Sequence, residues 1–247
     1  MTTRPNLTIL FDNEPGLPEL TSLWGFAALI RMEGRTVLFD TGSNGRVLLR
    51  NMAALGLSPE SVDLLFLSHP HWDHLGGLDS FLELNPGVTV ALHEGFSKHL
   101  IHDLRSLCGE LIVIGAEPRL LAPGIFSTGM LDSQPQERGM VIDAAGVTVA
   151  ISGCAHFGME RIVERAKVLL DRSVDWAIGG FHLMYADAAE IDRSIHSLQS
   201  LGVAQVVPTH CTGDAAKAAF CRAYGAGFHE GGVGREISLF QRAGRMT

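Results

Sequence analysis

His69, His71, Asp73 and His74 fall within six residues of one another, in the run Ser68-His69-Pro70-His71-Trp72-Asp73-His74-Leu75-Gly76-Gly77. Imidazole nitrogens joined by a single carboxylate suit zinc, iron or manganese; calcium prefers an all-oxygen shell. The spacing divides these side chains between two ions. Alternate residues of an extended chain share a face, so His69 and His71 turn toward one ion. Asp73 and His74 are sequence neighbours, so they diverge and suit a second position. The apolar stretch 62–67 before the run reads as a strand buried on both faces, and the Gly-Gly after it reads as a turn.

Four further strand-like segments end on a polar or metal-binding residue in a glycine-containing loop: Asp40 in Phe39-Asp40-Thr41-Gly42, then His156, His182 and His210. Five such loops can meet at one rim and supply the six or so ligands that a dinuclear centre needs. The resulting assignment places His69, His71 and His156 on a first ion and Asp73, His74 and His210 on a second. Two such ions lower the pKa of a shared water toward neutrality and make it a nucleophile without a strong protein base. Asp40 is expected to accept a hydrogen bond from a ligand imidazole and fix its tautomer.

His93, His99, His102 and His196 lack ligand spacing and read as surface or packing residues. His229 lies in a glycine-rich stretch, 225–234, that does not open a helix in the G-x-x-x-x-G-K pattern. It reads as a flexible C-terminal turn, with a substrate contact from His229 left open. Cys108, Cys154, Cys211 and Cys221 have no C-x-x-C spacing and read as free thiols. Cys154 and Cys211 adjoin ligand histidines but read as small buried residues.

The elements that must position these groups alternate between strand and helix. Strands are expected at 7–11, 25–31, 35–39, 62–67, 88–92, 111–114, 125–128, 139–143, 147–152, 176–178, 203–207 and 236–240. Helical spacing covers 46–55, 78–84, 95–107, 159–170, 188–201 and 214–224. The alternation implies an α/β or mixed α+β chain. With no low-complexity linker, residues 1–247 read as one domain of two similar lobes. A hydrophobic fraction of 46% and a charged fraction of 19% describe an ordinary globular composition. No apolar run reaches the roughly 20 residues of a membrane span, and the N-terminus lacks an apolar core and cleavage site. The expectation is a soluble, cytoplasmic protein. A net charge of −8 argues against a nucleic acid held by a basic surface; a small anionic molecule drawn to the ions is the expected partner. Self-association is left open.

The H-x-H-x-D-H run, the upstream Phe-Asp-Thr-Gly and the later His156 and His210 resemble the metallo-β-lactamase superfamily, from about Leu7 to Phe240. The resemblance implies an α+β fold, a four-layer αββα sandwich of two mixed β-sheets flanked by helices, with the metal site at one edge between the sheets. Gly153-Cys154-Ala155-His156, Gly179-Gly180-Phe181-His182-Leu183 and His210-Cys211-Thr212-Gly213 are similar to a branch of metal-dependent hydrolases related to dihydropterin-ribofuranosylaminobenzene phosphate synthase. In its named activity, a dihydropterin diphosphate is joined to a ribofuranosylaminobenzene phosphate and pyrophosphate leaves. The chain departs from the superfamily at Ile178-Gly179-Gly180, where most members carry a bridging aspartate. His182 is a candidate to occupy that space as a ligand or as a substrate-facing acid. It also departs at Trp24, where the branch often has histidine.

The function expected from these residues is a dinuclear metal-dependent hydrolase of a phosphate ester, a phosphodiester or a similar small anion. It would use two divalent ions, zinc before iron or manganese, and a metal-bound hydroxide. Asp73 and His182 are the catalytic candidates, His182 as proton donor to the leaving group. Trp24 is a candidate substrate contact. The alternatives are a pterin-condensing transferase, with ring surfaces from Trp24, Trp72 or Phe181, and a non-catalytic ligand sensor on the same scaffold. An iron oxidoreductase is also open.

Overall fold

The computed structural model describes residues 4–131 and 135–240. The first half builds β1 (Asn6–Phe11), β2 (Ala27–Met32), β3 (Arg35–Phe39), β4 (Leu64–Phe66), β5 (Thr89–His93) and β6 (Glu110–Ile114). Helices α1 (Gly45–Ala54), α2 (Trp72–Leu75), α3 (Leu78–Leu84) and α4 (Lys98–Leu107) are interspersed among them. The second half builds β7 (Arg119–Ala122), β8 (Ile125–Ser127), β9 (Met140–Ala144), β10 (Val147–Ser152), β11 (Trp176–Gly180) and β12 (Gln205–Thr209), with α5 (Met159–Leu170), α6 (Ala188–Ser200) and α7 (Asp214–Tyr224). The chain then returns to the first sheet as β13 (Glu236–Ser238) beside β1.

Both sheets are mixed. In the first, ordered β13-β1-β2-β3-β4-β5-β6, the strands from β3 to β6 are parallel and the others antiparallel. In the second, ordered β12-β11-β10-β9-β8-β7, β10 to β12 are parallel. The period-2 pattern of the strands explains the layering. Val37 and Phe39 of β3, Val149 and Ile151 of β10, and Trp176 and Ile178 of β11 share one core between the sheets. The intervening Leu38 faces α1 and α3 on one outer side, and Ala150 and Ala177 face α5 and α6 on the other. These are the four layers of an αββα sandwich. Among the described residues, no helix is long and apolar enough to cross a membrane.

Several expected elements differ in extent. The strand expected at 62–67 is in register with its neighbours only over Leu64–Phe66, and past it Ser68 N–H turns to the Asp40 carboxylate. The helix expected from 95 begins at Lys98, since Phe96 N–H bonds His93 in a turn. The glycine-rich stretch 225–234 is anchored, not flexible. Gly232 N–H donates to Asp12 and Val233 N–H to Glu14 O, and both residues are buried.

Candidate metal centre

Four loops turn sharply at one edge of the sandwich. Asp40 follows β3, Ala155 follows β10, His182 follows β11 and His210 follows β12, and all four have φ between 53° and 56°. A left-handed non-glycine residue costs roughly 1–2 kcal/mol. Only two other described non-glycine residues, Ala145 and Asp171, adopt it. The strain is concentrated where strand ends must turn side chains into the seam between the sheets.

The structure brings together the six residues assigned as ligands. His69, His71 and His156 place ligand atoms within 4.8 Å of one another, and so do Asp73, His74 and His210. His69 Nε2 and His71 Nδ1 are 3.1 Å apart, near the roughly 3.4 Å expected of two nitrogens on one tetrahedral zinc. Asp73 Oδ2 lies 3.7 Å from His74 Nε2 and 3.5 Å from His210 Nε2. The expectation that Asp73 and His74 diverge is corrected here. They sit on the single turn of α2, not on extended chain, and both reach the same position. Gly77 lets this turn lie against the Asp40 loop: a Cβ there would be 2.4 Å from Thr41 O.

Four ligand rings have their tautomer set by an outer partner. Ser68 Oγ donates to Asp40 Oδ2, so it accepts from His69 Nδ1 at 2.9 Å and leaves His69 Nε2 as the open lone pair. His74 Nδ1 donates to Asp40 Oδ2 at 2.8 Å, as expected for Asp40, which is fully buried. His156 Nδ1 donates to Glu137 Oε2 at 2.8 Å, and His210 Nδ1 to Asn13 Oδ1 at 2.7 Å. His210 Nε2 is then buried with no hydrogen-bond partner. An orphaned acceptor costs free energy unless something supplies a positive charge. That orphan, the open imidazole nitrogens and the Asp73 carboxylate together fit divalent ions.

Glu137, Asn13 and Ser68 are residues around the site that the sequence reading missed. Glu137 had no local signal, since it lies 19 residues from His156 in a loop. Asn13 follows the end of β1 in Phe11-Asp12-Asn13, the pattern that marked Asp40, and was open to the same argument. Asp12 ties this loop to β12 by accepting from Thr209 Oγ1; burial raises its pKa to about 6. All four cysteines are free; Cys154 and Cys211 are buried, as expected, and also lie beside ligand atoms. Cys154 Sγ is 3.3 Å from His74 Nε2, and Cys211 Sγ lies within 4.8 Å of His210 and Cys154 ligand atoms.

His182 is exposed, and its ring centroid is 4.6 Å from that of His156. It separates a cleft of about 440 Å³, lined by His156, Glu160, Glu190 and Arg193, from one of about 290 Å³, lined by Trp24, Met184, Tyr185 and Cys211. Trp24 stands over the centre, its ring 5.0 Å from that of His210. Trp72 is exposed, whereas Phe181 is buried against Phe220 and cannot offer a ring face. His99, His102 and His196 are exposed, but His93 is fully buried in β5. His229 bonds Gln205 and lies against Trp176, at the end of β11 away from His182.

The electrostatics separate the two positions. Burial dominates at His69 and His71 and lowers both pKa values, so these rings stay neutral and ready to bind. Burial also brings His74 to about 3. His210 is buried too, but the Asp73 carboxylate, Cys211 and Asp12 outweigh that and raise it. An ion entering the second position competes with protons more than one entering the first. Below a proton's pKa, one-for-one competition weakens ion binding by about tenfold per pH unit. Calorimetric zinc titrations at about pH 6 and about pH 8 are therefore expected to show the second ion gaining affinity more steeply than the first. Parallel gains for both ions would contradict the arrangement.

Comparison with known proteins agrees with this architecture. The family model for the metallo-beta-lactamase superfamily matches residues 25–129, which include the H-x-H-x-D-H run. The 7,8-dihydropterin-6-methyl-4-(beta-D-ribofuranosyl)-aminobenzene-5'-phosphate synthase of Methanocaldococcus jannaschii is 29% identical over 264 residues, covering 87% of this chain and 90% of the synthase. The crystal structure of Tm1679, a metal-dependent hydrolase of the beta-lactamase superfamily, superimposes with a TM-score of 0.78 at 25% identity, covering 94% of this chain and 98% of that one. The metallo-beta-lactamase fold protein YhfI from Bacillus subtilis superimposes with a TM-score of 0.70 at 14% identity, covering 95% and 99%. By sequence and by fold the chain is similar to proteins of the metallo-β-lactamase superfamily.

Proposed function

We propose that this chain is a metal-dependent hydrolase that holds two divalent ions, zinc before iron or manganese, and cleaves a phosphate ester, a phosphodiester or a similar small anion. The observation that carries the reading is the pair of ligand sets meeting at one edge, His69–His71–His156 and Asp73–His74–His210. Bound there, the ions supply Lewis acidity and a water activated near neutral pH.

The protein's own groups supply the rest. Asp73 presents its carboxylate from the α2 turn to the position that His74 and His210 face. The larger cleft carries Arg193 but also Glu160 and Glu190, so its side chains alone do not favour an anion. A substrate's negative charge is therefore met at the ligand sets, and the cleft selects the remainder of the molecule. His182 holds its proton more tightly than an ordinary imidazole, because the neighbouring Cys211 outweighs burial. From its place between the two clefts it donates that proton to the leaving oxygen. The net charge of −8 favours a small molecule over a nucleic acid held on a basic surface.

A second reading, condensation of a pterin with loss of pyrophosphate, is favoured by the synthase relative and by the exposed face of Trp24 beside His182. Purified protein is to be assayed on chromogenic phosphodiesters and esters before and after chelation, with bound metal measured. Turnover is expected to vanish with the metal and return on reloading with zinc. Undiminished turnover by fully stripped protein would end the hydrolase reading. Pyrophosphate release from dihydropterin diphosphate, without phosphodiester cleavage, would select the condensation.

A further inference from the structure

β11 closes on Gly179 and Gly180, so no side chain leaves that strand end for the seam between the ligand sets. The space is not vacant. A Cβ at Gly180 would lie 2.6 Å from Cys211 Sγ and 3.1 Å from Cys154 Cα. The Gly153 carbonyl oxygen, at 2.4 Å, the Cys211 sulfur and the Cys154 backbone take up the volume that a side chain at 180 would fill.

Of the two cysteines, Cys154 faces both ligand sets. Its sulfur is 3.3 Å from His74 Nε2. It lies within 4.8 Å of ligand nitrogens on His69 and His156, from the first set, and on His74 and His210, from the second. Cys154 enters three of the candidate ligand clusters among the described residues, more than any other side chain. Its backbone is also fixed. Glu137 Oε1 accepts from Cys154 N–H at 2.9 Å and from Ala155 N–H at 3.0 Å. Cys211 Sγ packs behind it, donating to Cys154 O at 3.5 Å.

We propose that Cys154 releases its proton to solvent on metal loading and that its sulfur is shared between the two ions as a thiolate, in the place of a carboxylate from β11. The inference rests on the two-ion reading above and deepens it. A shared thiolate is a softer donor than a carboxylate and biases the centre toward zinc, cobalt or iron, and away from manganese and magnesium.

The test uses the full chain loaded anaerobically with two equivalents of cobalt(II). Wild-type protein is expected to gain a sulfur-to-cobalt charge-transfer band in the near ultraviolet. Cys154→Ser should bind cobalt without that band, and Cys211→Ser should keep it. X-ray absorption on zinc-loaded wild-type protein requires no variant to fold. It should show a sulfur shell at about 2.3 Å, with one sulfur per zinc as sharing requires. Two bound ions with neither band nor sulfur shell would overturn the thiolate and leave the two-ion reading intact. Half a sulfur per zinc would overturn the sharing. A band that survives in Cys154→Ser and disappears in Cys211→Ser would overturn the choice of cysteine. Absence of bound metal altogether would remove the two-ion reading and this inference with it.

Discussion

Glu137→Ala is expected to destabilise the metal-free protein by about 3–5 kcal/mol, the usual cost of breaking a buried charged network by removing one partner. Glu137 is fully buried and accepts four hydrogen bonds. Oε1 takes the N–H groups of Cys154 and Ala155; Oε2 takes the N–H of His156 at 3.1 Å and its Nδ1 at 2.8 Å. Burial pushes the carboxyl pKa up, but His69, His156 and the backbone donors outweigh it, so the group stays ionised. Alanine leaves two buried backbone donors without partners, at roughly 1–3 kcal/mol each, and a third, at His156, that is half-buried. Ala155 is also held in a left-handed conformation that these bonds maintain.

Glu137→Gln separates shape from charge. An amide can accept on one side only, so either the Cys154 and Ala155 pair or the His156 pair meets an N–H group. Its expected cost is smaller, but the ion held by His156 should still bind about 10–100-fold more weakly, the usual effect of losing a ligand's outer partner. Urea titration of stripped protein reads the first effect, and competitive zinc titration the second. An alanine variant within about 1 kcal/mol of wild type would mean that something else holds the 153–156 loop.

The contrast between Glu137 and Asp40 explains how much of this centre is legible in the sequence. Asp40 ends a strand, precedes a glycine and lies in a local pattern that also marks His156 and His210. Local pattern likewise gives the bounds of α3, α5 and α7 as observed, because their apolar residues keep a clean period against a single layer, and those of β10, whose apolar run is buried on both faces. Glu137 joins the centre through a loop, and nothing periodic connects it to residues 17 to 19 positions away. The edge strand β7 is hidden for a related reason. Its residues are exposed or half-buried, and it pairs only with β8, so its existence is a tertiary fact. The cysteines were hidden by a prior instead: buried thiols are usually packing, and only the approach of three strand ends reveals what surrounds Cys154.

Asp73→Ala is expected to reduce bound metal from two ions per chain to one, and to lower kcat by more than the roughly 100-fold that loss of an outer partner alone can cost. Asp73 is the carboxylate of the second set and faces both of its histidines. Its pKa lies below the ordinary carboxylate value because the adjoining His210 and His74 outweigh its burial. Without that charge the second position keeps two neutral imidazoles and any sulfur that reaches it, and holds a divalent ion far less tightly. The α2 turn does not depend on the side chain. Phe26 N–H donates to Asp73 O, and His74 N–H to His71 O, through main-chain groups that alanine retains. Circular dichroism and thermal melts of stripped protein should therefore match wild type. His210, relieved of its anionic neighbour, should lose part of the shift that Asp73 imposes and titrate lower by NMR. That NMR shift reports on the partnership without any metal, so a failure to bind the second ion can be assigned to the missing ligand and not to a displaced turn. Two tightly bound ions and undiminished turnover in Asp73→Ala would mean that the second ion is held elsewhere.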